Sequence, residues 1–404
     1  MRSELLRALL LGLGLGLGPG LGLGPGLVSP SPGPSPGPGP GPGPGPGSAG
    51  SHGFLPADPA HRWSFPADWR AHPGYRNEWW YFTGTVAEDG EGARRLGFQV
   101  TFFRVGLAAR APALDSAWAT GDAVMAHVAI TDVAAGTHRF SEVLWRAVPL
   151  LGGFPAPPDP VLAWARAPPG TDGRWEARLD GERMRVVARD AAQGLALDLS
   201  LRPAKPPALQ GPNGLSRKAE AEGYASLYAS ITRLEAEGTV ELGGRRLAVR
   251  GEAWMDREIG SSQLAPDQAG WDWWSLRLKD GRDLMLYVLR RKDGGVSWRN
   301  GTIVDRAGHV RLLSPNDWSV RSTGSWRSDA TGATYPSGWE VSVPGEGIRL
   351  AVSPEVRAAE NRSTLVPGLS YWEGPVVATV ADGATAGEGY VELTGYGERS
   401  RPRL

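Results

Sequence analysis

The residues best placed to do chemistry form one run, Gly251-Glu252-Ala253-Trp254-Met255-Asp256-Arg257-Glu258. In an extended chain successive side chains point to opposite faces, so Trp254, Asp256 and Glu258 share one face and Arg257 takes the other. Two acids and an indole on one side of an apolar barrel are costly unless they are hydrogen-bonded or used. Burial against indole raises the pKa of a carboxylic acid and makes it a competent proton donor near neutral pH. Two uses follow: Asp256 and Glu258 are acid–base groups in an apolar pocket, or they are ladder-end acids paired with arginines.

Three other clusters carry polar groups among aromatics. His72-Pro73-Gly74 precedes Glu78-Trp79-Trp80-Tyr81, where Glu78, Trp80 and Phe82 share one face and Trp79 and Tyr81 the other. His127 lies inside the apolar run Met125-Ala126-His127, as a hydrogen-bonded core residue or as a catalyst. Ser370–Gly374 with Tyr390–Tyr396 reads as a barrel-closing hairpin.

Other chemistries are absent. The chain has no cysteine, which excludes disulfides, thiolate metal sites and Cys nucleophiles. No H-E-x-x-H occurs, and the six histidines never sit at paired ligand spacing. No G-x-S-x-G elbow, Walker A or dinucleotide fingerprint falls between a strand and a helix. Chemistry is left to carboxylates, phenols and indoles, and no cofactor or metal is expected. Lys plus Arg and Asp plus Glu both number 43, so the formal charge is zero. That balance argues against a nucleic-acid partner and gives no support for docking on anionic lipid. The 17 tryptophans can wall an aromatic cavity.

The elements that must position these residues read as strands. Leu96, Phe98, Val100 and Phe102 alternate with Gly97, Gln99 and Thr101, the period of a strand. Similar runs are 124–132, 195–201, 228–234, 239–242, 284–289, 348–352 and 390–394. Turn pairs separate them, among them Asp89-Gly90, Gly243-Gly244, Asp280-Gly281 and Asp382-Gly383. Residues 215–222 are expected to form one short helix. The fold class is all-β, with antiparallel sheets or barrels. An internal repeat supports two halves. Asn77–Phe82 leads to a strand ending at Arg104, and Trp271–Leu276 leads to one ending at Arg290. Ala129–Asp132 before Gly136–Arg139 has its counterpart in Thr302–Asp305 before Gly308–Arg311. The domains are therefore drawn at 54–250 and 251–397.

Residues 1–28 carry Arg2 and Arg7 before an apolar, Leu-Gly-rich stretch, and read as an export signal or an uncleaved anchor. Residues 29–53 are a Pro-Gly-Ser tract that cannot bury apolar surface and is expected to be a disordered tether. Export to the periplasm or medium is the expected location, with membrane tethering if the signal stays.

Six motifs in order, NEWWYFTG (77–84), GFQVTFFR (97–104), MAHVAITD (125–132), WMDRE (254–258), GWDWWSL (270–276) and YWEG…GYVELTGY (371–374 and 389–396), resemble the AttH-like family, related to carotenoid 1,2-hydratase. The resemblance covers about residues 60–397. It implies two lipocalin-like β-barrel domains in tandem, and export in many members. In the hydratases an Asp in a Tyr-x-Asp strand is thought to protonate a terminal isoprenoid double bond, and Asp256 is the matching position. The Tyr of that motif is Trp254 here, and the strand matching an upstream His-x-Trp pair reads Tyr228-Ala229-Ser230.

The expected function is binding of an apolar, isoprenoid- or lipid-like small molecule. Asp256 would be a hydratase-type proton donor, Trp254, Trp271 and Trp273 would face developing positive charge, and Tyr228 would position water. Glu258, Glu78 and His127 complete the expected binding set. The alternatives are a non-catalytic lipocalin-like carrier and an envelope accessory of a membrane transporter.

Overall fold

The computed structural model describes residues 53–90, 93–110, 113 and 115–397. The expected export segment 1–28 and tether 29–53 lie outside the described residues, Gly53 excepted.

The strands form two large antiparallel sheets. In hydrogen-bonded order the first runs β4 (Thr137–Arg146), β3 (Asp122–Asp132), β2 (Arg95–Gly106), β1 (Asn77–Glu88), β13 (Arg245–Ser262), β12 (Ala225–Leu242) and β9 (Leu195–Pro203). It continues through β8 (Arg183–Asp190), β7 (Arg174–Asp180), β6 (Val161–Arg166) and β5 (Gly152–Gly153). Two short strands, β10 (Ala208–Leu209) and β11 (Leu215–Arg217), also pair with β12. The second sheet runs β17 (Val310–Leu313), β16 (Val296–Val304), β15 (Asp283–Arg291), β14 (Gln268–Leu278) and β25 (Thr385–Thr394). Then come β24 (Ser370–Thr379), β22 (Ile348–Pro354), β21 (Trp339–Val343) and β18 (Ser319–Ser322), with β23 (Glu360–Arg362) on β24. A separate ribbon joins β19 (Ser325–Arg327) to β20 (Thr334–Pro336).

The two orders match strand for strand: β4-β3-β2-β1-β13-β12 has its counterpart in β17-β16-β15-β14-β25-β24. The internal repeat is thus a repeated topology. Both sheets curl into near-closed barrels; in the first, β5 and β6 return against β3 and β4. Gly243 and Gly244, both at positive φ (61° and 80°), turn β12 tightly into β13, a turn that side-chain-bearing residues adopt at a cost.

Alternation divides each strand between two environments. On β1, Trp80, Phe82 and Val86 enter the first barrel's core, and on β2 Phe98, Val100 and Phe102 join them. Trp274, Leu276, Leu286, Trp339, Trp372 and Val391 fill the second. Along the central strands β1, β2, β14 and β24, and over residues 253–261 of β13, the opposite faces are buried as well. They stack on each other along a seam whose aromatic part holds Tyr81, Tyr228, Trp254, Trp273, Tyr287 and Tyr390. The barrels approach closely there: a Cβ on Gly97 would lie 2.7 Å from Pro375 Cγ and 2.9 Å from the Tyr390 hydroxyl. Farther along, Arg95–Glu355 (2.9 Å), Lys205–Asp283 (2.6 Å) and Arg233–Asp283 (2.7 Å) link the sheets by charge.

Two expectations need correction. The division at residue 250 cuts β13, which pairs along its length with β1 and β12 of the first sheet; the chain changes sheet between Ser262 and Gln268. No helix forms over 215–222. Leu215–Arg217 instead pairs with Ala225–Leu227, so sheet pairing overrides local helical preference. The runs 228–234 and 239–242 are one strand, β12, with a register shift between Ile231 and Leu234.

At one end of each barrel an acid opening the central strand pairs with the arginine closing the next: Glu78–Arg104 at 3.1 Å and Asp272–Arg290 at 2.8 Å. Glu78 also binds the fully buried Arg257 and the His72 backbone N–H. Burial alone would raise its pKa, but Arg257, His72 and Arg104 hold it down to about 2. The folded state therefore gains stability above the ordinary 4.5 and loses it as pH falls from there toward about 2, roughly 3 kcal/mol in all. Replacing Glu78 by Gln takes the carboxylate partner from the fully buried Arg257 and leaves Arg104 with Asp122 alone. Urea unfolding at neutral pH should show a loss of about 3–5 kcal/mol. The variant should also lack much of the wild-type decline in acid, and an unchanged urea midpoint contradicts this account.

Candidate active site

The face of β13 that carries Trp254, Asp256 and Glu258 points away from the first barrel's core and into the seam. Register explains the company it keeps. Asp256 stands opposite Tyr81 on β1 and Ser230 on β12, and Glu258 opposite Trp79 and Tyr228. From the second barrel, β14 brings Trp271 and Trp273, β15 brings Tyr287 and Leu289, and β24 and β25 bring Tyr371 and Glu392. Between the sheets is a cavity of about 90 Å³. At about 30 Å³ of liquid volume per water, that is room for about three waters, or one end of a larger apolar molecule.

Asp256 is 3% exposed and lines this cavity. Its Oδ1 accepts from Ser230 Oγ (2.5 Å) and Trp254 Nε1 (2.7 Å), and its Oδ2 accepts from the Tyr228 hydroxyl (2.7 Å). Burial raises its pKa to about 7 although those three donors favour the charged form, and the Glu258 charge adds to the rise. Tyr228 in turn accepts from Trp273 Nε1 at 3.2 Å. Its hydroxyl therefore holds the carboxyl in place, on a side chain that also lines the cavity.

Glu258 is neutralised. Lys218 Nζ lies 2.7 Å from its Oε1, and Ser226 donates to the same oxygen. Burial works against the Lys218 charge, but Glu258 more than restores it, and the ammonium also sits over the rings of Tyr228 and Tyr287. Trp254 has no exposed surface; its ring packs edge-on to Trp273 behind the carboxyl. It therefore orients Asp256 and does not line the cavity.

Two expected residues lie elsewhere. Glu78 is on the other face of β1, in the ion cluster at the barrel end, because the period that groups it with Trp80 turns both inward. His127 faces the seam but stops behind Tyr371, whose hydroxyl is 2.7 Å from its Nδ1. Burial lowers the His127 pKa to about 4, leaving the imidazole neutral at physiological pH.

Lys218, Glu373 and Glu392 were not among the expected residues. Lys218 fell within the expected helix, and both glutamates within the hairpin read as structural. Glu373 and Glu392 are directly opposed across β24 and β25. Glu373 accepts from the Tyr81 hydroxyl at 2.6 Å, and burial with the Glu392 charge raises its pKa well above the usual range. Burial brings Glu392 to about 7 against the hydrogen bond from Trp271 Nε1 (2.9 Å), with Asp256 and Glu258 adding to the rise. Among the described residues no group of three or more His, Asp or Glu is placed to hold a metal ion.

Because folding raises the Asp256 pKa from 3.8 to about 7, the folded chain keeps a proton in that window that the unfolded chain has lost. Stability contributed by this group is present at low pH and declines as pH rises toward about 7, by a few kcal/mol. Chemical denaturation across that range should show a flatter pH dependence for Asp256→Asn; identical slopes would place the carboxyl in water.

The model of a family described as AttH-like matches residues 56–396. An AttH protein of Nitrosomonas europaea is 35% identical; the alignment covers 85% of this chain and 100% of that one, with a TM-score of 0.72. Kievitone hydratase of Nectria haematococca has a similar fold at 13% identity, over 84% of this chain and 97% of that one, with a TM-score of 0.58. No curated protein matches the sequence.

Proposed function

This chain belongs to the AttH-like family, and from that premise we propose that its seam cavity binds an apolar, isoprenoid- or lipid-like olefin whose double bond Asp256 protonates. The observation that carries the reading is the unfilled lone pair of the Asp256 carboxyl. A carboxylate offers about four acceptor sites. Protein donors take two on Oδ1 and one on Oδ2. The remaining site, on Oδ2, is where an acid proton resides, on a side chain that lines the cavity. With a pKa near 7 the group is substantially protonated at neutral pH and can act as a general acid.

The surroundings suit a cationic intermediate. Trp271 and Trp273 line the space, and a ring face there attracts positive charge by about 0.5–2 kcal/mol. Protonation of an olefin followed by capture of water is a hydration. Kievitone hydratase adds only that a hydratase is built on a similar fold, an analogy at the level of architecture. Export under residues 1–28 belongs to the same proposal.

A second reading has its own observation. Three donors on one carboxyl are also how a structural acid is held, as in a lipocalin-like carrier that binds without reacting. Citronellol, with one trisubstituted double bond, separates the two. On the enzymatic reading it quenches tryptophan fluorescence of both wild type and Asp256→Asn. Its conversion to hydroxycitronellol falls by about 10²–10⁴-fold in the variant. Binding without conversion by wild type favours the carrier, and undiminished conversion by the variant removes Asp256 from the chemistry.

A further inference from the structure

Hydration needs a base as well as an acid: a group that takes a proton from the attacking water. The repeated topology shows where one stands. In each barrel an acid lies opposite the equivalent tryptophan of the central strand, Glu258 opposite Trp79 and Glu392 opposite Trp273. The two positions have different fates. Glu258 is bound by Lys218 and Ser226. Among the described residues the hydrogen bond to Glu392 is a single one, from Trp271 Nε1 to Oε2. Its Oε1 therefore has no protein donor, on a side chain that lines the same cavity as Asp256.

We infer that Glu392 is the general base of the site, taking a proton on Oε1 from the water that adds to the olefin while Asp256, from the other barrel, supplies the proton to carbon. The inference rests on the proton-donor reading of Asp256. The Asp256 O–H bond breaks as a C–H bond forms at one olefinic carbon, and the π electrons make that bond. The water oxygen bonds to the other carbon, its O–H bond breaks, and that proton goes to Glu392. The product is a tertiary alcohol, with Asp256 ionised and Glu392 protonated. Proton exchange through cavity water restores the pair, with no net oxidation.

The charges around Glu392 fit this division. Asp256 and Glu258 face it from β13, and Glu373 from β24. Glu258 is balanced by Lys218, on the segment before β12. Glu373 holds its own proton more firmly, through burial and the Glu392 charge. Of the two opposed glutamates, Glu392 is then the one that ionises first, and the Asp256 charge, on the same cavity, bears on that ionisation. The site is complete only when both barrels contribute.

The test uses the full chain as wild type, Asp256→Asn, Glu392→Gln and Glu392→Asp. Glu392→Gln should bind citronellol with an unchanged fluorescence midpoint. Its hydration rate should fall by about 10²-fold or more and lose the acid limb of the pH profile, with partial recovery in Glu392→Asp. Undiminished hydration by Glu392→Gln overturns the inference while leaving Asp256 as the acid. Should wild type leave citronellol unconverted, the hydration reading fails there, and carbon-13 NMR of the side-chain carboxyls decides the pairing by itself. Asp256→Asn should lower the Glu392 titration midpoint by about one pH unit. A Glu392 that titrates in the ordinary carboxylate range, or is indifferent to Asp256→Asn, overturns the paired acids.

Discussion

Stacking the outer face of one curled sheet on that of another takes the Asp256 carboxyl out of water, and the chemistry of the cavity depends on that desolvation. Each sheet buries one face in its own barrel by ordinary apolar packing. The other face carries Thr, Tyr, Trp and acids, and would be unremarkable on a solvated surface. Brought against its counterpart it becomes a buried polar layer, and buried polar groups must find partners. Three indole N–H groups answer part of that need, Trp254 on Asp256, Trp273 on Tyr228 and Trp271 on Glu392. The tryptophans thus act twice, as apolar surface and as fixed donors that aim the acids.

Much of the fold was legible because strands announce themselves with period two and Gly-containing turns announce the hairpins. The repeat of an acid before paired tryptophans pointed to two sheets, since it marks the central strand of each, but the boundary drawn from it fell inside β13. Period two does not say which face turns inward. Glu78 and Asp256 look alike by that measure, yet one enters a barrel end and the other the seam. The same blindness hid Glu392: the strand from Tyr390 to Thr394 was visible, but its role depends on a cross-barrel neighbour more than a hundred residues away, Asp256. Lys218 was obscured by a local helical preference that pairing with β12 overrides.

Duplication accounts for both the symmetry and its breaking. The ion pairs at the barrel ends, Glu78–Arg104 and Asp272–Arg290, keep the same design in both halves. The seam does not. At the matched position one half silences its glutamate with Lys218, and the other leaves one oxygen of Glu392 open. Asp256 stands opposite Tyr81, where the second barrel pairs Ser275 with Tyr390. A symmetric scaffold with an asymmetric lining can therefore present acid and base from opposite sides of one small apolar space.

The chemistry of the cavity turns on a single hydrogen atom, and neutron diffraction from perdeuterated crystals grown slightly below neutral pH would locate it. The account predicts a deuteron on Asp256 Oδ2 directed into the cavity, together with those donated by Ser230, Trp254 and Tyr228. A bare carboxylate carrying only the three donated deuterons would contradict it.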